Sequence, residues 1–173
     1  MRIKLSHILV LLTICLIFTA VSCNTTGCME NRSSIPIAEF YSTGEEKNII
    51  IDSVAIGGIN APNDSLIIKV GEKANSVSLP LRSTSSEASF FIAYRWSGCP
   101  ADFADTLSFK YESMPYFASE ECGAMFRYKI TKFSYTKHLI DSISILDSLV
   151  TNANSAMMRI FYPVAENEEE VLQ

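Results

Sequence analysis

Alternation with a period of two runs through most of this chain and restricts what it can fold into more than any other feature. Leu107, Phe109 and Tyr111 alternate with Thr106, Ser108, Lys110 and Glu112. Phe90, Ile92, Tyr94 and Trp96 share one side, with Phe91, Ala93 and Arg95 on the other. Phe126, Tyr128 and Ile130 alternate with Arg127, Lys129 and Thr131 in the same way. Successive side chains of an extended chain point to opposite faces, so the pattern describes half-buried strands and not the 3.6-residue stripe of a helix.

The earlier part of the chain reads similarly. Ile35, Ile37, Glu39 and Tyr41 oppose Pro36, Ala38 and Phe40; a second strand is expected over residues 48–56, a third at Leu66, Ile68 and Val70, and a fourth at Val77, Leu79 and Leu81. Pro80 has no N–H to donate, which puts that fourth strand at a sheet edge or on a bulge. Ile143 with Ile145, then Ile160 with Tyr162, close the series, and only residues 148–156 have room for a turn or two of helix. About eight or nine short strands separated by turn signals predict an all-β protein, an antiparallel β-sandwich of immunoglobulin-like topology.

A different signal occupies the first residues. Arg2 and Lys4 precede an apolar run from Ile8 to Ala20, and Ala20-Val21-Ser22 leads into Cys23. Crossing a bilayer takes roughly 20 apolar residues; a shorter run behind a basic start and before small residues is a secretory signal peptide. A cysteine directly after the cut is the mark of a bacterial lipoprotein, with Cys23 as the lipidated residue. Two or three acyl chains on one cysteine hold far more firmly than one, so the expected partner of Cys23 is the membrane itself. Asn24 follows Cys23 where an Asp would signal inner-membrane retention, and no acidic pair follows closely as a surface-export signal. The expected location is the outer membrane, facing the periplasm. The chain then divides into a signal peptide (1–22), a lipidated cysteine and tether (23–34), one domain (35–164) and an acidic tail (165–173) containing Glu166, Glu168, Glu169 and Glu170.

The net charge of −5 argues against nucleic acid as a partner, because phosphate recognition needs a concentrated basic surface. Of five cysteines, Cys15 leaves with the leader and Cys23 carries lipid. Cys28, Cys99 and Cys122 remain, enough for one bridge in an oxidising envelope, and three pairings are possible. A single strand over residues 105–117 would hold Cys99 and Cys122 tens of ångströms apart at about 3.3 Å per residue, whereas a bridge needs Cα atoms within about 7 Å. A bridge between Cys28 and Cys122 with Cys99 free is therefore favoured, unless the chain reverses at Pro115.

The order of these features resembles an uncharacterised family of small Bacteroidetes lipoproteins, classed as a domain of unknown function. The likeness rests on Cys23 followed quickly by Cys28, on the pair Phe40-Tyr41, and on Leu107, Phe109 and Tyr111. It continues through Ser119-Glu120-Glu121-Cys122-Gly123, Phe126 and Tyr128, and the closing run Met158-Arg159-Ile160-Phe161-Tyr162. The resemblance implies a β-rich envelope lipoprotein and supports Cys28 and Cys122 as partners. It implies no activity, and Cys99 falls outside its pattern.

Catalytic and metal chemistry find little to build on. Nucleophilic hydrolysis wants a Ser or Cys beside a His held by a carboxylate, and the only histidine after the leader, His138, is read as a surface or loop residue. No catalytic residue, metal site or cofactor is expected. Asn60, Asn63 and Asp64 could offer oxygens to calcium, but without the spaced ligand loop they read as turn formers. Tyr94, Trp96 and Tyr116 are the candidate residues of an aromatic platform for a glycan, although aromatics at period two usually fill a core. The expected function is thus a non-enzymatic, membrane-anchored envelope lipoprotein with a structural role or an unknown envelope protein as partner. A glycan- or calcium-binding module is the alternative.

Overall fold

The computed structural model describes residues 33–44, 46–120 and 122–163. The leader, Cys23, Cys28 and the acidic tail lie outside the described residues. Ser34 and Pro36 are fully buried, so the packed body already includes the end of the stretch read as tether.

Ten strands and one short 3-10 turn (Pro62–Asp64) make up the described fold. They are β1 (Ile37–Ser42), β2 (Val54–Gly58), β3 (Leu66–Ile68), β4 (Ser76–Ser78), β5 (Glu87–Tyr94), β6 (Ala104–Ser119), β7 (Gly123–Tyr135), β8 (Ser142–Ile145), β9 (Leu149–Val150) and β10 (Met158–Tyr162). They form a four-stranded sheet in the order β4-β1-β10-β8 and a six-stranded sheet in the order β3-β2-β5-β6-β7-β9. All pairings are antiparallel except β1 with β10, which run parallel with Phe40 opposite Ile160. The two sheets make the expected all-β sandwich. What the strand order supports is the sandwich, not the immunoglobulin-like variety of it.

Alternation decides the core. Ala38 and Phe40 of β1, Val77 and Leu79 around β4, and Met158, Ile160 and Tyr162 of β10 point inward from the smaller sheet. Val54, Ile56, Phe90, Ile92, Tyr94, Leu107, Phe109 and Tyr111 meet them from the larger one. Rings interlock where they meet: Tyr162 lies edge-on to Phe40 at 6.0 Å and to Tyr94 at 6.3 Å between ring centroids. β4 lies at a sheet edge and ends before Pro80, as the missing N–H requires. Residues 79–82 are then held against the larger sheet, because the Tyr111 hydroxyl donates to the Arg82 carbonyl at 3.0 Å and accepts from its N–H at 3.2 Å.

Three expectations change. The strand expected over residues 48–56 is reduced to β2 and begins only at Val54, because Ser53 sits at φ 55, outside extended geometry. The stretch before it makes isolated bridges instead, Asn48 to Tyr41 and Ile51 to Ala74, as the chain passes between sheets. Residues 148–156 hold β9 and no helical turn, since Val150 is drawn into the core beside Tyr128. Trp96 is not part of β5, which ends at Tyr94; it stands half-exposed where the chain turns through Gly98 at φ 83.

Leu107→Ala is expected to cost about 2–5 kcal/mol in urea unfolding, the range for truncating a buried leucine. Lys110→Ala, at an exposed position of the same strand, should stay within about 0.5 kcal/mol.

Candidate interaction surface

β6 starts with a charge on its core face. Asp105 has the parity of Leu107, Phe109 and Tyr111, and it is completely buried (0% exposed). Its Oδ1 accepts hydrogen bonds from the Thr136 hydroxyl at 2.7 Å and the His138 N–H at 2.8 Å. Its Oδ2 accepts from the Tyr94 hydroxyl at 2.9 Å and from the N–H groups of Leu139 and Ile140 at 2.9 and 3.1 Å. Burial alone pushes the Asp105 carboxyl up. The bonds from His138, Leu139, Thr136 and Ile140 outweigh it and hold the group below its ordinary value of 3.8. Burial, with Tyr162 and Asp105 close by, pushes the Tyr94 hydroxyl far up, so it stays a donor.

The His138 ring extends from this node into solvent, 54% exposed, with Nδ1 3.4 Å from Asp105 Oδ1. A carboxylate behind a histidine is two-thirds of a hydrolase triad. Among the described residues, however, no hydrogen bond joins that ring to a Ser or Cys, and Asp105 is occupied with holding backbone. His138 is the surface loop residue its sequence context suggests.

The candidate glycan platform is not assembled. Tyr94 is buried and hydrogen-bonded to Asp105. Trp96, 44% exposed, packs beside it at 5.7 Å and against Phe103 at 5.8 Å between ring centroids. Tyr116 lies near the other end of β6, on the order of 40 Å away at strand spacing, where its hydroxyl donates to Asn152 at 3.1 Å. Asn60, Asn63 and Asp64 adopt φ of 58°, 57° and 49°, the left-handed geometry of tight turns. No group of three or more His, Cys, Asp or Glu side chains is placed to hold a metal ion among the described residues.

β6 runs unbroken through Pro115, so the separation between Cys99 and Cys122 holds. Cys99 is a free thiol. Cys122, at the β6–β7 turn, is not without a partner, and Cys28 lies outside the described residues.

What the sequence did not single out is the far end of β6 and β7. β5 stops pairing with β6 at Lys110, and β9 pairs with β7 only at Tyr128 and Lys129. Beyond these points the two strands pair only with each other, as a ribbon. Pro115 falls where β5 no longer flanks β6, so its missing N–H breaks no ladder on that side. In the ribbon Pro115 faces Phe126 and Phe117 faces Ala124. Residues directly opposite share a face, so these four form one apolar face, with Phe117 69% and Phe126 41% exposed. The reverse face carries Met114, Tyr116, Met125 and Arg127. There the Arg127 guanidinium lies 5.5 Å from the Tyr116 ring.

A two-sheet β domain with an overhanging apolar ribbon, and no assembled catalytic set among the described residues, is thus the class of molecule in hand. The chain belongs to the family described as Family of unknown function (DUF6452), whose sequence model matches residues 53–162, from the approach to β2 to the end of β10. The comparisons with curated proteins and with solved structures find no match.

Asp105→Ala removes the acceptor of three consecutive backbone N–H groups and should cost more than about 3 kcal/mol, the scale for orphaning buried polar partners. The lowered folded value makes the Asp105 contribution complete above pH 3.8 and lost as pH falls through that lower value. Acid unfolding of Asp105→Asn should lack this component of the slope.

Proposed function

We propose that the protein is an exported Bacteroidetes envelope lipoprotein, held at the outer membrane and facing the periplasm by acyl chains on Cys23. Its sandwich serves as a non-enzymatic module that binds another envelope protein. The leader sequence supports the anchoring. The interaction role is carried by the ribbon, where Pro115, Phe117 and Phe126 stand exposed on one face. Exposed apolar side chains gathered on one face are the kind of surface on which a protein partner docks. A bridge between Cys28 and Cys122 belongs to the same reading. It would close a loop of about 95 residues and contribute up to roughly 4–5 kcal/mol in the chain-entropy model.

Cys23→Ala should abolish acyl labelling and move the protein from the membrane to the soluble fraction; a variant that still sediments with membranes and carries lipid overturns the anchor. Phe117→Ser, at a solvent-exposed position, should leave stability within about 0.5 kcal/mol. It should lose a partner that wild type retains after cross-linking in intact envelopes. An unchanged set of cross-linked partners counts against the ribbon as the contact surface.

A further inference from the structure

β7 changes company at Thr131. Up to Ile130 its outer side is covered by β9 and the residue before it, and the Ile130 N–H donates to the Ser148 carbonyl at 2.8 Å. Thr131 is then the extra residue at which the register with β6 shifts, between the pairs Tyr111–Ile130 and Lys110–Lys132. Beyond it, no strand pairs with the outer side of β7 among the described residues.

The ladder fixes where the main chain points. Thr136 donates its N–H to the Thr106 carbonyl at 3.1 Å, and bonding alternates along an antiparallel pair. Lys132 and Ser134 therefore turn their main-chain groups towards β6, while Phe133 and Tyr135 turn theirs outward. Among the described residues no hydrogen bond reaches those outward groups. Two kinds of side chain flank this edge. Phe133 and Tyr135 are half-buried on the core side, with ring centroids 5.7 Å apart. Lys129 and Lys132 are exposed on the other side, with Lys110 opposite Lys132. Residues 127–137 hold Arg127, Lys129, Lys132 and Lys137 and no acidic residue, and none of the four forms an ion pair among the described residues.

Lysines along an edge keep copies of one chain from pairing there, because like charges set opposite each other are destabilising. A strand of the opposite sign is not kept out. We propose that the outer edge of β7 over residues 131–135 takes an extended acidic segment of a partner protein, added as a further strand of the larger sheet. Main-chain bonds to Phe133 and Tyr135 hold the segment, and its alternate side chains select it. Its carboxylates face Lys129 and Lys132, while its apolar side chains lie along the Phe133 and Tyr135 rings. This edge goes beyond the ribbon contact proposed above and uses neither Phe117 nor Phe126.

The test uses the full-length protein in detergent and a fluorescent peptide of alternating Glu and Val. Anisotropy should show saturable binding that weakens as salt rises. Lys132→Glu, at an exposed position, should weaken it by about tenfold or more. Hydrogen exchange read by NMR should find the Phe133 and Tyr135 amides fast in the free protein and slowed by the peptide. Phe117→Ser should leave both readouts unchanged, which tells failure of this edge apart from failure of the ribbon. No binding of the Glu-Val peptide overturns the proposal, as does equal binding of a Lys-Val peptide or of a Glu-Val peptide with every amide N-methylated. Phe133 and Tyr135 amides already protected in the free protein overturn it too, because this chain or a second copy then covers the edge.

Discussion

The carboxylate of Asp105 is where the two sheets are tied together. β7 ends in the larger sheet at Tyr135 and β8 begins in the smaller one at Ser142, so residues between them must cross the end of the sandwich. Crossing a buried region strips backbone N–H groups of water, and each unpaired one costs free energy. Asp105 accepts three of them in succession, from His138, Leu139 and Ile140. Burying a carboxylate costs several kcal/mol, and hydrogen bonds to a charged group contribute roughly 1.5–3 kcal/mol each, so five of them offset that penalty. The same carboxylate accepts from Tyr94, whose hydroxyl lies 3.5 Å from that of Tyr162. β5, β6, the crossing and β10 therefore meet at one point.

At the opposite end of β6 the physics is reversed. The core face does not stop at Tyr111 and Tyr128. It continues along the ribbon through Pro115, Phe117 and Phe126, while the covering sheet does not follow. A two-stranded ribbon alone is marginal in water, and its reverse side is secured locally by Tyr116, Arg127 and the bond to Asn152. Pro115 also protects the bare edge of β6, because a strand lacking an N–H is a poor template for pairing with a stranger. Edge pairing is discouraged there while side-chain contact remains open. That combination favours docking across the face over addition of a strand.

Much of this was legible from alternation, and the misses share one cause. Period two assigns a residue to a face but does not say what lies opposite that face. Leu107, Phe109 and Tyr111 were read as one face and are buried. Phe126 has the parity of Tyr128 and Ile130, correctly, yet is exposed because nothing in the described structure covers it. Alternation carries Trp96 on with Tyr94 only if the strand continues; β5 ends at Tyr94, and Trp96 packs against that ring half-exposed from the turn that follows. Asp105 was the available signal that went unused. A charge at the parity of Leu107 and Phe109 is either an error of register or a buried group with several donors, and here it is the second. Tyr116 could not be separated from Tyr94 by pattern alone, because distance along an unbroken strand becomes evident only when Pro115 is known not to turn it.

The position of β1 bears on how such a domain could withstand being tethered. An anchor at the N-terminus pulls first on the first strand, and a strand at a sheet edge could be peeled away one hydrogen bond at a time. β1 is not at an edge: β4 flanks it on one side and β10 on the other, the latter in parallel register from Ala38–Met158 to Ser42–Tyr162. Its inward residues Ala38 and Phe40 are fully buried. Pulling it out would split the smaller sheet in two and open the core over Phe40, so a load on an N-terminal anchor would be shared by both ladders and by the apolar contacts at once. The family match begins only at residue 53, after β1. Yet β10, which the match includes, has β1 as its neighbour on one side. The first described strand is thus an internal part of the sandwich, so any load applied at the N-terminal side would bear on the integrity of the fold.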